Sequence, residues 1–158
     1  MLYRLRQGSS DESGFTLIEL LVVILIIGIL AAIAIPSLLS QKGKAYDASA
    51  KSLAQSAQTA AETIATDNGG AYNNVTAAEL NKYEKSIQTA AGNGNAWVSA
   101  ATGAEANAAG EDQGYSITVT APTTGDTFTI AKNNLGVVSR TCKEATKEAT
   151  HGCPAGTW

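Results

Sequence analysis

From Leu20 to Ile35 the chain has no polar side chain. The apolar stretch opens at Phe15, and only Thr16 and Glu19 interrupt it. Its roughly 21 residues would rise ~31 Å as a helix, the thickness of a bilayer's hydrocarbon core, ~30 Å. A core helix of a soluble domain keeps a polar face, and this one has none. The stretch therefore belongs in lipid or inside a bundle of other helices. Glu19 conflicts with both settings. A carboxylate at the centre of a membrane helix costs ~2.5–3.5 kcal/mol, and less near the interface. Two readings follow: Glu19 sits shallow and snorkels, or it has a partner.

The flanking residues add context. A short polar leader with Arg4 and Arg6 ends at Gly14, and Gly14-Phe15-Thr16-Leu17-Ile18-Glu19 follows at once. This resembles the class III signal of type IV pilins and of type II secretion pseudopilins. That signal has a Gly, then a Phe, with a Glu as the fifth residue after the cut. Gly14, Phe15, Glu19 and the helix proline Pro36 all match. The resemblance is specific over Ser13–Ser37 and only architectural beyond. It implies that a prepilin peptidase in the membrane cuts between Gly14 and Phe15, and that the new Phe15 amine is methylated. It further implies that Glu19 pairs with the Phe15 amine of a neighbouring subunit in a helical homopolymer, built by a pilus assembly machinery. Related filaments loosen this helix between such a Gly and Pro, so Gly28–Pro36 is expected to melt on assembly; in the isolated subunit a simple kink suffices.

The physics fits those implications. An ordinary secretory signal is cut after its apolar segment, which is then lost. A cut before Phe15 keeps the segment on the mature protein, first as an anchor and later as filament core. Arg4 and Arg6 bias the leader towards the cytoplasm, which puts the rest of the chain outside the inner membrane and later on an extracellular filament. The expected divisions are a cleaved leader at 1–14, a membrane and filament-core helix at 15–36, and at 37–158 an amphipathic helix half with a globular head.

The net charge is −3, and the leader's two Arg cancel its one Asp and one Glu. That is a poor field for binding nucleic acid. The two cysteines, Cys142 and Cys153, form an even, isolated pair, which in an exported domain reads as a disulfide. With His151 as the single histidine there are too few ligands for a metal site, and no cofactor is expected. Nucleophilic catalysis needs a base beside a Ser or Cys. No G-x-S-x-G occurs, so no catalytic residue is assigned.

Past Pro36 the helix should turn amphipathic. Gln41, Lys42, Lys44, Asp47 and Lys51 make it soluble, and Tyr46, Leu53, Ala57, Ala60 and Ile64 line one face. Asp67-Asn68-Gly69-Gly70 ends it. Thr76-Ala77-Ala78-Glu79 is a capping box opening a short helix with Leu80, Tyr83 and Ile87 inward. Ala91–Gly114 reads as a flexible connection, except for an edge strand at Ala96–Ser99. There Trp97 is an anchor beneath the loop or a ligand contact. Alternation predicts strands at Tyr115–Thr120 and Thr127–Ile130, then Val137–Thr141, with turns at Pro122–Asp126 and Asn133–Gly136. The fold class is α+β: a long N-terminal helix against a small antiparallel sheet of three to four strands, which the resemblance equates with the type IV pilin fold. The tandem Lys-Glu-Ala-Thr at 143–150 reads as a solvated surface loop or a receptor contact, and Trp158 as packing beneath it.

These features favour a structural subunit of a type IV pilus serving adhesion, motility or DNA uptake. The alternatives are a major pseudopilin and a competence pilin that captures DNA through Lys132, Arg140, Lys143 and Lys147, offset by Glu144 and Glu148.

Overall fold

The computed structural model describes residues 14–103, 113–145, 152–153 and 156–158. The element order is α1 (Leu17–Asp67), α2 (Ala77–Tyr83), β1 (Trp97–Gly103), β2 (Tyr115–Thr120), β3 (Thr127–Lys132) and β4 (Val138–Lys143). The chain divides into two compact units, Met1–Ser37 and Leu38–Trp158.

In the first unit α1 begins at Leu17, two residues later than its apolar run suggests. The sequence reason is Thr16-Leu17-Ile18-Glu19, a second capping box. The Glu19 N–H donates to Thr16 Oγ1 (3.3 Å), while Thr16 donates from its own N–H and hydroxyl to Glu19 Oε2 (2.8 and 2.7 Å). Each side chain satisfies an amide that the first turn leaves without a partner. Pro36 lies inside the helix without ending it.

The second unit is a helix–sheet sandwich. The sheet is an antiparallel meander in the order β1-β2-β3-β4. β2 falls where alternation places it and β3 begins there but runs two residues further, to Lys132, with Tyr115, Ile117, Val119, Phe128 and Ile130 buried. The edge strand β1 is longer than expected, running on to Gly103, and its register slips between Val98 and Ala100. The β3–β4 turn is built by Asn133, whose Oδ1 accepts from the amides of Leu135 (3.0 Å) and Val137 (2.9 Å), and Gly136 supplies the positive φ of 78°.

The helix meets this sheet with a stripe of small residues. Ala50, Ala54, Ala57 and Ala61 have no exposed surface, and Ile64 and Ala65 continue the row. The expected face is kept at Ala57, Ala60 and Ile64, which are buried, and turned only at its near end, where Tyr46 is half-buried and Leu53 lies at the margin. The reason is volume. The sheet contributes Phe128, Tyr115 and four β-branched side chains, Val98, Ile117, Val119 and Ile130, to a close-packed core, so its partner must be slim. Asp47 falls on the same stripe and is fully buried, contrary to its expected solvent-facing role.

α1 ends at Asp67 as anticipated. The Gly70 N–H donates back to Ala65 O (2.7 Å), with Gly69 and Gly70 both at positive φ. Thr76 caps α2, accepting from the Glu79 amide (3.2 Å). Leu80 is buried as expected, and so is Ile87, although it lies beyond the helix. Tyr83 differs: it is 42% exposed, and its hydroxyl donates to Asp67 Oδ2 (3.0 Å).

Gly103 ends β1 against a backbone carbonyl. A Cβ there would lie 1.6 Å from the Tyr72 oxygen, which main chain alone must yield to relieve. Gly103→Ala is expected to destabilise the head by about 3 kcal/mol or more, measured as the shift in its chemical denaturation midpoint.

Candidate functional site

The site with the strongest sequence signal lies at the start of α1. Gly14 and Phe15 precede the helix and are exposed, Phe15 by 91%. Glu19 stands one turn in. Its carboxylate is already engaged by Thr16 of its own chain, a local partner that sequence reasoning missed. The signal was present, since Thr-x-x-Glu is the spacing that also located the cap of α2.

Apart from Glu19 and Ser37, the side chains from Leu17 to Leu39 form an apolar surface left largely exposed among the described residues. Leu20, Ile24, Ile27, Ile33 and Ile35 are each more than half exposed. The helix is long and apolar enough to cross a membrane, with none of its most apolar window buried. A surface of this kind costs about 25 cal/mol per Å² in water, so it requires lipid or protein around it.

At the other end of the chain Cys142 and Cys153 are joined, with Cα atoms 5.7 Å apart. The closing tail lies along β4, where Thr157 pairs with Thr141. Trp158 Nε1 donates to Thr141 O (2.9 Å), and its ring meets Phe128 edge-on at 5.9 Å. Of the repeat at 143–150, Lys143–Ala145 are described; Thr146–Thr150, with Lys147 and Glu148, lie outside the described residues, as does His151.

Two of the four basic residues considered for nucleic-acid capture, Lys132 and Arg140, are engaged within the head. Arg140 lies 5.9 Å from the Trp158 ring and donates to Gln58 on α1 (3.3 Å). Lys132 pairs with Glu62 at 2.9 Å and donates to the Tyr72 hydroxyl. The hydroxyls of Tyr72 (2.6 Å) and Tyr115 (3.1 Å) also donate to Glu62, closing a network that ties α1 to the sheet.

Burial alone would raise the Glu62 pKa. Hydrogen bonds from Tyr72, Lys132 and Tyr115, with the Lys132 charge, outweigh it and hold the carboxyl below its ordinary 4.5. Burial likewise opposes the Lys132 charge, but Tyr72 and Glu62 hold its pKa above 10.5. The Glu62 contribution is thus complete above pH 4.5 and lost as pH falls through its lower folded value. The Lys132 contribution is complete below pH 10.5 and lost as pH rises through its higher folded value. Glu62→Gln is expected to lower the melting temperature at neutral pH and to shrink its fall below pH 4.5. A wild-type acid slope retained in full by the variant would assign that slope to other carboxylates.

Residues 9–35 match a family model described as the prokaryotic N-terminal methylation motif. The match covers the leader's end, the Gly14-Phe15 junction, Glu19 and the apolar run, and no more of the chain. No curated protein and no solved structure gives a significant match.

Proposed function

We propose that this chain is a structural subunit of a type IV pilus, held in the inner membrane with its head outside and polymerised through α1 into a cell-surface filament. The observation that carries the reading is the exposed apolar helix whose first turns lie within the methylation motif. An anchor that stays on the mature protein and needs protein or lipid on every face suits a subunit that moves from bilayer to filament core. Phe15 becomes the methylated terminus after a prepilin peptidase cuts at Gly14, and Glu19 pairs with the Phe15 amine of a neighbour. Gly28 and Pro36 are the weak points over which the helix loosens on assembly. A Cβ at Gly28 would meet nothing within 4 Å, so its role is backbone freedom rather than fit within the subunit.

A pilus is favoured over a secretion pseudopilus by the disulfide-bounded tail and the polar head. DNA capture is a weaker reading, because Lys132 and Arg140 are engaged within the head. No enzymatic role is proposed.

Intact-mass measurement of filaments sheared from cells tests the proposal. The expected subunit begins at Phe15 and carries one added methyl group. A subunit that retains residues 1–14, or is cut after Ile35, rules the reading out.

A further inference from the structure

We propose that Asp47 and Asp126 dock the two arms of the Cys142–Cys153 loop onto the folded head, bringing the thiols together before they are oxidised. Among the described residues, these two aspartates are the only fully buried charged side chains. Burying a carboxylate is costly unless strong hydrogen bonds compensate. Here the bonds go to the loop's own backbone. Asp126 Oδ1 accepts from the Ala145 amide (2.8 Å) on the arm that leaves Cys142. Asp47 Oδ2 accepts from the Gly152 amide (2.7 Å), immediately before Cys153.

Thr124, in the β2–β3 turn, links the two anchors. Its hydroxyl donates to Asp47 Oδ1 (2.8 Å) and accepts from the Asp126 amide (3.4 Å). Lys51, one helical turn beyond Asp47, donates to the Gly152 carbonyl, and its ammonium lies over the rings of Phe128 (5.3 Å) and Trp158 (5.9 Å). Gly152 is thus gripped at both its N–H and its C=O. A Cβ there would stand 3.0 Å from Asp47 Cβ, so the approach suits glycine.

None of these contacts involves sulfur. They are supplied by α1 and the β2–β3 turn, which fold through the hydrophobic core, so they persist in the reduced chain. Charge-assisted hydrogen bonds are the strong class, and two of them confine the arms that carry the two thiols. Closure by glutathione disulfide then balances simply. One protein thiolate attacks glutathione disulfide, forming a mixed disulfide and releasing one glutathione thiolate. The second protein thiolate attacks the mixed disulfide, forming the Cys142–Cys153 bond and releasing the second glutathione.

The test equilibrates the full chain in detergent micelles with reduced and oxidised glutathione and measures the effective concentration of the thiol pair. Asp47→Asn keeps the shape and loses the charge, and is expected to lower that concentration about tenfold or more. Glu62→Gln weakens the head without touching the loop and is expected to leave it within about threefold of wild type. An unchanged value in Asp47→Asn overturns the proposal, as does an equal fall in both variants, which would trace the effect to overall stability. A second measurement needs no variant: amide exchange at Ala145 and Gly152 in the reduced wild-type chain. Retained protection supports docking by the aspartates. Exchange that becomes free on reduction would show that the disulfide holds the arms, and would overturn it.

Discussion

Glu19→Gln subunits are expected to enter the membrane, to be cut at Gly14, and to yield almost no filament. The side chains around Glu19 are apolar over the whole run to Ile35. In a filament core a carboxylate there and a neighbour's amine each carry a desolvation penalty that pairing removes. Leaving one partner buried and alone costs on the order of 3–5 kcal/mol, a loss of about 100-fold or more in each subunit contact. Glutamine is the informative substitute because Thr-x-x-Gln still forms a capping box. It preserves the bonds that Thr16 makes to residue 19 and removes only the charge. Glu19→Ala removes both. The measurement is the ratio of filament protein to membrane-held subunit. If Gln assembles normally and Ala does not, the cap is the point of Glu19 and charge pairing is wrong. Normal yield from both leaves a snorkelling carboxylate.

The second large effect is expected at Phe128. It is fully buried in β3, meets Trp158 edge-on, and lies beneath the Lys51 ammonium. The helix opposite offers alanines, which cannot extend to fill a void, so the cavity would persist. Phe128→Ala is therefore expected to cost about 3–5 kcal/mol, a large share of the ~5–15 kcal/mol typical of a whole domain. Denaturant unfolding of the full chain in detergent reads this directly. A loss under about 1 kcal/mol would mean that the tail closes over the gap and that the core is less tightly packed than its burial implies.

Much of this protein follows from local pattern. An apolar run as long as a bilayer is thick admits few structures, because backbone groups in lipid must bond within their own segment. Gly14, Phe15 and Glu19 mark the candidate site through their resemblance to the class III signal. Strands β2 and β3 follow from alternation, since a sheet with one dry face imposes a period of two. The stop at Asp67 follows from paired glycines that accept positive φ. Tertiary structure decided the rest. Asp47, Lys51 and Gln41 look alike along the chain as polar residues on a soluble helix. Only the sheet's placement buries Asp47 and hands it a backbone amide from residue 152, 105 positions away. The buried face of the helix kept Ala57, Ala60 and Ile64 and took in Ala50, Ala54 and Ala61, because the bulk needed to fill the core lay in strands far along the chain. Lys132 and Arg140, basic residues in the sequence, became internal partners of Glu62 and Gln58. Local pattern determines where a helix or strand forms and which side is dry, because those depend on near neighbours. What a charge faces depends on chain brought from far away, and that is settled only when the sheet closes on the helix.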